Sequence, residues 1–176
     1  NIFDAIGNEE ISVIRQHVDL GTDFDEHFIP EGFPFAGASA LHLAALVGNE
    51  EIIQLLLDNE ATIDIKAKDE SEGTPLQWAA FFAKTKTTKL LVNAGADVNA
   101  IDKNGCTPLC AALLYNAFVE QDIIFQENRA KIQAFLKSEG GNAGNTPVND
   151  FNIFEAIGNE DISLVNKYLK EPINLE

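Results

Sequence analysis

The sequence predicts an all-α solenoid, a row of stacked helix pairs with little or no strand. Every apolar run in it is short and helical in period. The tripeptide Thr74-Pro75-Leu76 returns as Thr107-Pro108-Leu109, 33 residues on, so one structural unit is repeated. A turn glycine closes the second helix of a unit, as Gly21 and Gly95 do, and the chain then restarts. In such an array each unit touches only its neighbours, so length is a poor guide to domain number and the 176 residues read as one body.

The unit is clearest over residues 73–104. Thr74 can cap a helix, and Pro75 suits its first turn, where the missing N–H costs nothing and φ is already helical. Leu76, Ala79 and Ala80 then fall at i, i+3 and i+4, a face small enough for a neighbouring helix to come close. Leu90, Leu91 and Val92 give a second helix its apolar side, and Gly95 supplies the left-handed residue that ends it.

With Thr-Pro-Leu twice at a spacing of 33, Leu41-His42-Leu43-Ala44-Ala45 in the unit before, and Gly95-Ala96-Asp97-Val98-Asn99 after, the sequence resembles the ankyrin-repeat family over nearly its whole length. The resemblance implies helix pairs with β-turn fingers projecting at right angles, and a role in protein binding without catalysis. It also implies that His42 ties neighbouring turns together by hydrogen bonds. Gln77 and Cys110 stand at the same position in the next two units.

Taken in order, residues 1–25 read as an N-terminal cap repeat, with Gln16 and His17 where the second repeat has Leu55 and Leu56. The first finger is long: twelve residues separate Asp25 from Gly37, against six between Asn99 and Gly105. It carries Phe28, Ile29, Phe33 and Phe35, which either fold back over the first two repeats or face a partner. Internal repeats follow at 37–64, 72–99 and 105–142. In the first of them Glu60 occupies the place of Gly95 and must take a left-handed conformation or end its helix differently. The third has an insertion near 116–129, where Phe118, Val119, Ile123, Ile124 and Phe125 at near-helical spacing predict lengthened helices. Residues 152–163 nearly copy residues 1–12, so 152–176 reads as a C-terminal cap repeat.

Chemistry is thinly represented. The four-residue spacing of Cys106 and Cys110 lacks a second ligand pair for a metal, and two cysteines make no disulfide framework, so both read as small buried core residues. The clusters 23–26 and 69–72 do not fit a calcium loop and read as solvated charge. His17, His27 and His42 have no nucleophile partner in a recognisable arrangement. Neither catalytic residue, cofactor nor metal is expected.

A formal charge of −16 argues against nucleic acid and anionic membrane surfaces and favours a basic protein partner. No apolar run approaches the roughly 20 residues of a membrane helix. The cysteine usage leads to an expectation of a reducing compartment, the cytoplasm, and of a monomer; the chain opens at Asn1 and has no Met, which leaves a removed signal peptide open. The expected function is a protein–protein interaction module using the concave surface of fingers and inner helices. The alternative is a structural spacer within a longer polypeptide. The residues expected to meet a partner are Phe28, Phe33 and Phe35 on the first finger, Gln77, Trp78, Phe81 and Phe82 around one inner helix, and Leu114 and Tyr115 at the equivalent place in the next repeat. Trp78 has packing as its competing role, and the whole strip could instead fill the inter-repeat core.

Overall fold

The computed structural model of the chain describes residues 1–114 and 122–144. Within them lie four helix pairs: α1 (Ile2–Gly7) with α2 (Ile11–Asp19), α3 (Ala40–Val47) with α4 (Glu50–Asp58), α5 (Pro75–Phe81) with α6 (Thr85–Asn93), and α7 (Pro108–Leu113) with α8 (Ile123–Ser138). The first helices pack on one another in the order α1, α3, α5, α7, and the second helices do the same, giving two helical layers. Among the described residues the only β pairing is two isolated bridges, Phe28 with Ser39 and Cys106 with Gly144. The all-α solenoid expected from the repeat period is the fold observed.

The inner helices start alike because their caps are alike. Ser39 Oγ accepts from the His42 N–H and Thr74 Oγ1 from the Gln77 N–H, and both third-position side chains reach back to the cap N–H, closing a capping box. Thr107 accepts from the Cys110 N–H, but a cysteine is too short to return the bond. Small and branched residues from both layers fill the core between units, among them Ile6, Ile14, Leu41, Ala44, Ile52, Ile53, Leu56, Leu76, Ala79 and Leu91. A second cluster around Leu109, Ala112, Ile132 and Leu136 joins the last pair.

Backbone-to-side-chain bonds fix the stacking register. Thr62 N–H donates to the Asp25 carboxylate at 3.0 Å, Asp97 N–H to that of Asp64 at 3.0 Å, and Asn142 N–H to the amide oxygen of Asn99 at 2.9 Å. The same tie recurs at each turn. Its sequence span is 33 residues for Asp64 and Asp97 but 43 for Asn99 and Asn142, which locates the insertion inside the last pair. Glu60 does adopt the left-handed conformation, at φ 67°, and so does Glu72, at φ 54°.

The insertion lengthens only one helix. α8 has 16 residues against nine in α4 and α6, whereas α7 stops after six, where Leu114 turns extended. Arg129 is buried in the joint: its Nε donates to the Ala112 carbonyl at 3.0 Å and its Nη2 to that of Leu114 at 2.7 Å. Gln133 Nε2 also donates to Ala112 O, at 2.9 Å. These donors cap the C-terminal carbonyls of α7 and carry positive charge to the negative end of its dipole. Ile123 and Ile124, expected to pack, stand 75% and 69% exposed. Tyr115, the first part of the inserted segment and the repeat assigned to 152–176 lie outside the described residues.

Candidate partner-binding surface

The fingers and inner helices of the middle of the array enclose a cavity of about 300 Å³. Its apolar wall is built by Phe35 from the first finger, Trp78, Phe81 and Phe82 from the end of α5, and Ala111 and Leu114 from α7. Trp78, Phe81, Phe82 and Leu114 are each half-buried. The helix that ends at Phe81 therefore delivers three rings to one place, and the finger that precedes α3 supplies the fourth.

The rings are packed against each other. Phe35 lies 5.8 Å from Trp78 and 6.3 Å from Phe82, centroid to centroid, and Trp78 lies 6.2 Å from Phe82. Phe81 meets Phe82 edge-on at 5.1 Å. Tilted and edge contacts of this kind each add about 0.5–1.5 kcal/mol beyond burial. Phe35 reaches them with a left-handed backbone, φ 61°, at a cost of about 1–2 kcal/mol that the ring contacts offset. It remains 45% exposed.

The other residues expected in the strip fall elsewhere. Phe28 sits under the Lys68 ammonium, 3.7 Å from its ring centroid, and Phe33 is 65% exposed in the finger without a ring partner among the described residues. Ile29 is buried, so the long finger both folds back on the array and leaves aromatic surface free. Gln77 borders the cavity but is only 5% exposed, and both ends of its amide are committed: Oε1 accepts from Thr74 N–H at 2.7 Å and Nε2 donates to Cys106 O at 2.5 Å. Its amide thus ties the start of α5 to the next finger.

Three polar residues also line the cavity, two of them from the 69–72 cluster read as solvated charge and one, Asp102, not singled out from the sequence. Asp69, Ser71 and Asp102 line the cavity from two successive fingers. The signal was present, since Asp69 and Asp102 are 33 residues apart and open equivalent turns. Asp69 Oδ1 accepts from the N–H groups of Ser71 and Glu72, and Asp102 Oδ1 from those of Asn104 and Cys106. Asp69 is read from the sequence as solvated charge because an acidic cluster alone says nothing about what faces it.

Beneath the rings, His42 stands edge-on to Trp78 at 5.2 Å. Its Nδ1 accepts from Ser39 while Nε2 donates to Gly73 O at 3.0 Å, an arrangement that needs the neutral ring. Burial lowers its pKa to about 4, against the opposing effect of the Gly73 carbonyl. Cys106 and Cys110 are buried as expected, but they are bonded to each other as a disulfide, which the sequence reading did not foresee. A four-residue separation with Cys110 in the first turn of α7 brings their Cα atoms to 5.3 Å, within disulfide range.

Comparison with known proteins agrees with this architecture. A family model described as ankyrin repeats, in 3 copies, matches residues 2–102 and 41–125. Rat protein phosphatase 1 regulatory subunit 12A is 30% identical over 122 residues, which takes in 66% of this chain and 12% of that protein. Delta-latroinsectotoxin-Lt1a of Latrodectus tredecimguttatus is 37% identical over 94 residues, 53% of this chain and 7% of the toxin. The Saccharomyces cerevisiae target of rapamycin complex 2 subunit AVO2 is 28% identical over 137 residues, 78% of this chain and 30% of that subunit. The chain thus spans less than a third of the length of each of these relatives.

Proposed function

The chain belongs to the ankyrin-repeat family, and from that premise we propose that it is a non-catalytic protein-binding module whose partner docks on the concave face at the cavity walled by Phe35, Trp78, Phe82 and Leu114. The carrying observation is the cavity itself: side chains from three fingers and two inner helices converge on it, and its rings stay half-open. A partly exposed aromatic cluster ringed by polar groups is the anatomy of a binding hot spot. We read the partner as basic, because the chain carries −16 and repels polyanions, and the module as a monomer acting without nucleic acid or membrane.

A spacer role within a longer protein is the second reading, favoured by the small share of each relative that the chain spans. Selection from a displayed peptide library separates the two. Binders selected on the unmodified chain are expected to lose about thirtyfold in affinity on Phe82→Ala, the loss of a hot-spot contact, while helicity by circular dichroism is kept. Failure to select any binder, or binders indifferent to Phe82→Ala, would support the spacer.

A further inference from the structure

We propose that the cavity receives an arginine side chain of an extended partner segment, its stem lying on the rings and its guanidinium meeting the free carboxylate oxygens of Asp69 and Asp102. The inference rests on the cavity being the partner site and adds the chemistry of what enters it. The starting point is which polar atoms on the wall still have capacity. Gln77 is 5% exposed and engages each end of its amide within the chain. The Ser71 hydroxyl donates to Asp69 Oδ1 at 2.8 Å and accepts from Gly73 N–H at 3.2 Å. Asp69 and Asp102 each use one carboxylate oxygen, Oδ1, to hold their own finger turns, and among the described residues Oδ2 of each makes no hydrogen bond.

Among the described residues no cation pairs with these two carboxylates. Lys68 places its ammonium over Phe28, Lys103 pairs with Glu72 at 3.4 Å, and Lys66 donates to Ile101 O at 2.5 Å. What the wall offers is therefore a set of rings together with two acceptor-only carboxylates carried on consecutive fingers. A neutral apolar side chain would satisfy the rings and leave the anions desolvated and unpaired. An anionic group would be repelled. A planar guanidinium on an aliphatic stem satisfies both, stacking on aromatic faces and forking to carboxylates.

Trp78 is the single tryptophan of the chain and part of the wall, so its fluorescence reports occupancy directly. The probes are the blocked pentapeptide Gly-Leu-Arg-Leu-Gly and two analogues in which citrulline or norleucine replaces the arginine, the first matching its shape without the charge. The arginine peptide is expected to titrate Trp78 at concentrations about tenfold below either analogue. In Asp69→Asn/Asp102→Asn that advantage should vanish; asparagine keeps an acceptor oxygen for each finger turn, and an unchanged melting temperature verifies the fold. Equal binding of all three peptides, an advantage that survives in the double variant, or no response from Trp78 to the arginine peptide overturns the inference. Equal binding leaves the partner-site reading standing, since the cavity is then occupied without regard to charge. That reading falls separately, by display-selected binders that ignore Phe82→Ala.

Discussion

Nε2 of His42 lies 3.0 Å from the carbonyl oxygen of Gly73, 31 residues ahead, and one repeat later Gln77 Nε2 makes the same link to Cys106 O. Two different side chains thus tie an inner helix to the finger of the next unit. Only one of them titrates. Held neutral with its pKa lowered to about 4, His42 favours the folded chain fully above the unfolded value near 6.5, and that contribution is lost as pH falls from there towards 4. Because the unfolded histidine binds a proton that the folded one refuses, stability rises with pH across that window. By pH 4.5 the loss from this group is about 2–3 kcal/mol. His42→Gln, which copies Gln77, should keep stability near neutrality within about 1 kcal/mol and remove that part of the pH dependence. Urea midpoints at pH 7 and 4.5 for both proteins check it, and equal pH slopes would show that His42 is not the group responsible.

Close stacking of fingers should make one glycine far more sensitive than another with similar backbone. Gly37, at φ 84°, has no room: an added Cβ would lie 2.5 Å from the Lys68 carbonyl carbon, and Lys68 N–H donates to Gly37 O at 2.7 Å. Gly21, at φ 68°, has nothing within 4 Å. Gly21→Ala should cost about 1 kcal/mol, the left-handed penalty alone. Gly37→Ala should cost more than about 2 kcal/mol, since backbone must move as well. Chemical denaturation of the two variants gives the comparison.

Whether the aromatic strip is core or surface is decided by truncation. Phe82 is half-buried in a ring cluster, whereas Leu56 is fully buried between the outer helices. Phe82→Ala should cost about 1 kcal/mol and Leu56→Ala about 3–5 kcal/mol with the cavity it leaves. Equal losses would make the strip part of the inter-repeat core.

The repeat was legible because each unit restates the same local rules. Thr74-Pro75-Leu76 and Thr107-Pro108-Leu109 announce a cap, a first turn and a core residue, and the structure places all six accordingly. Ile132 and Leu136, matched to Ile52 and Leu56 across the insertion, are buried as their counterparts are. Less legible was anything set by one residue meeting a distant one. Phe35 and Phe33 look alike in the sequence, yet a left-handed turn sends the first onto Trp78 and leaves the second in solvent. Arg129 has no signal of its own in the sequence, because its role is set by the end of α7 that its donors meet. Asp69 reads as a solvated acid until the rings that share its cavity are known, and Asp102 has no signal beyond its spacing of 33 from it.

The claim that the concave cavity is where a partner docks is tested most directly by amide hydrogen exchange on the chain with and without a display-selected peptide at saturation. Slowed exchange is predicted at the finger residues around Phe35, Ser71 and Gly73, at the end of α5 and at the end of α7. Protection confined to the outer helices α2, α4 and α6, with these amides unchanged, would contradict it.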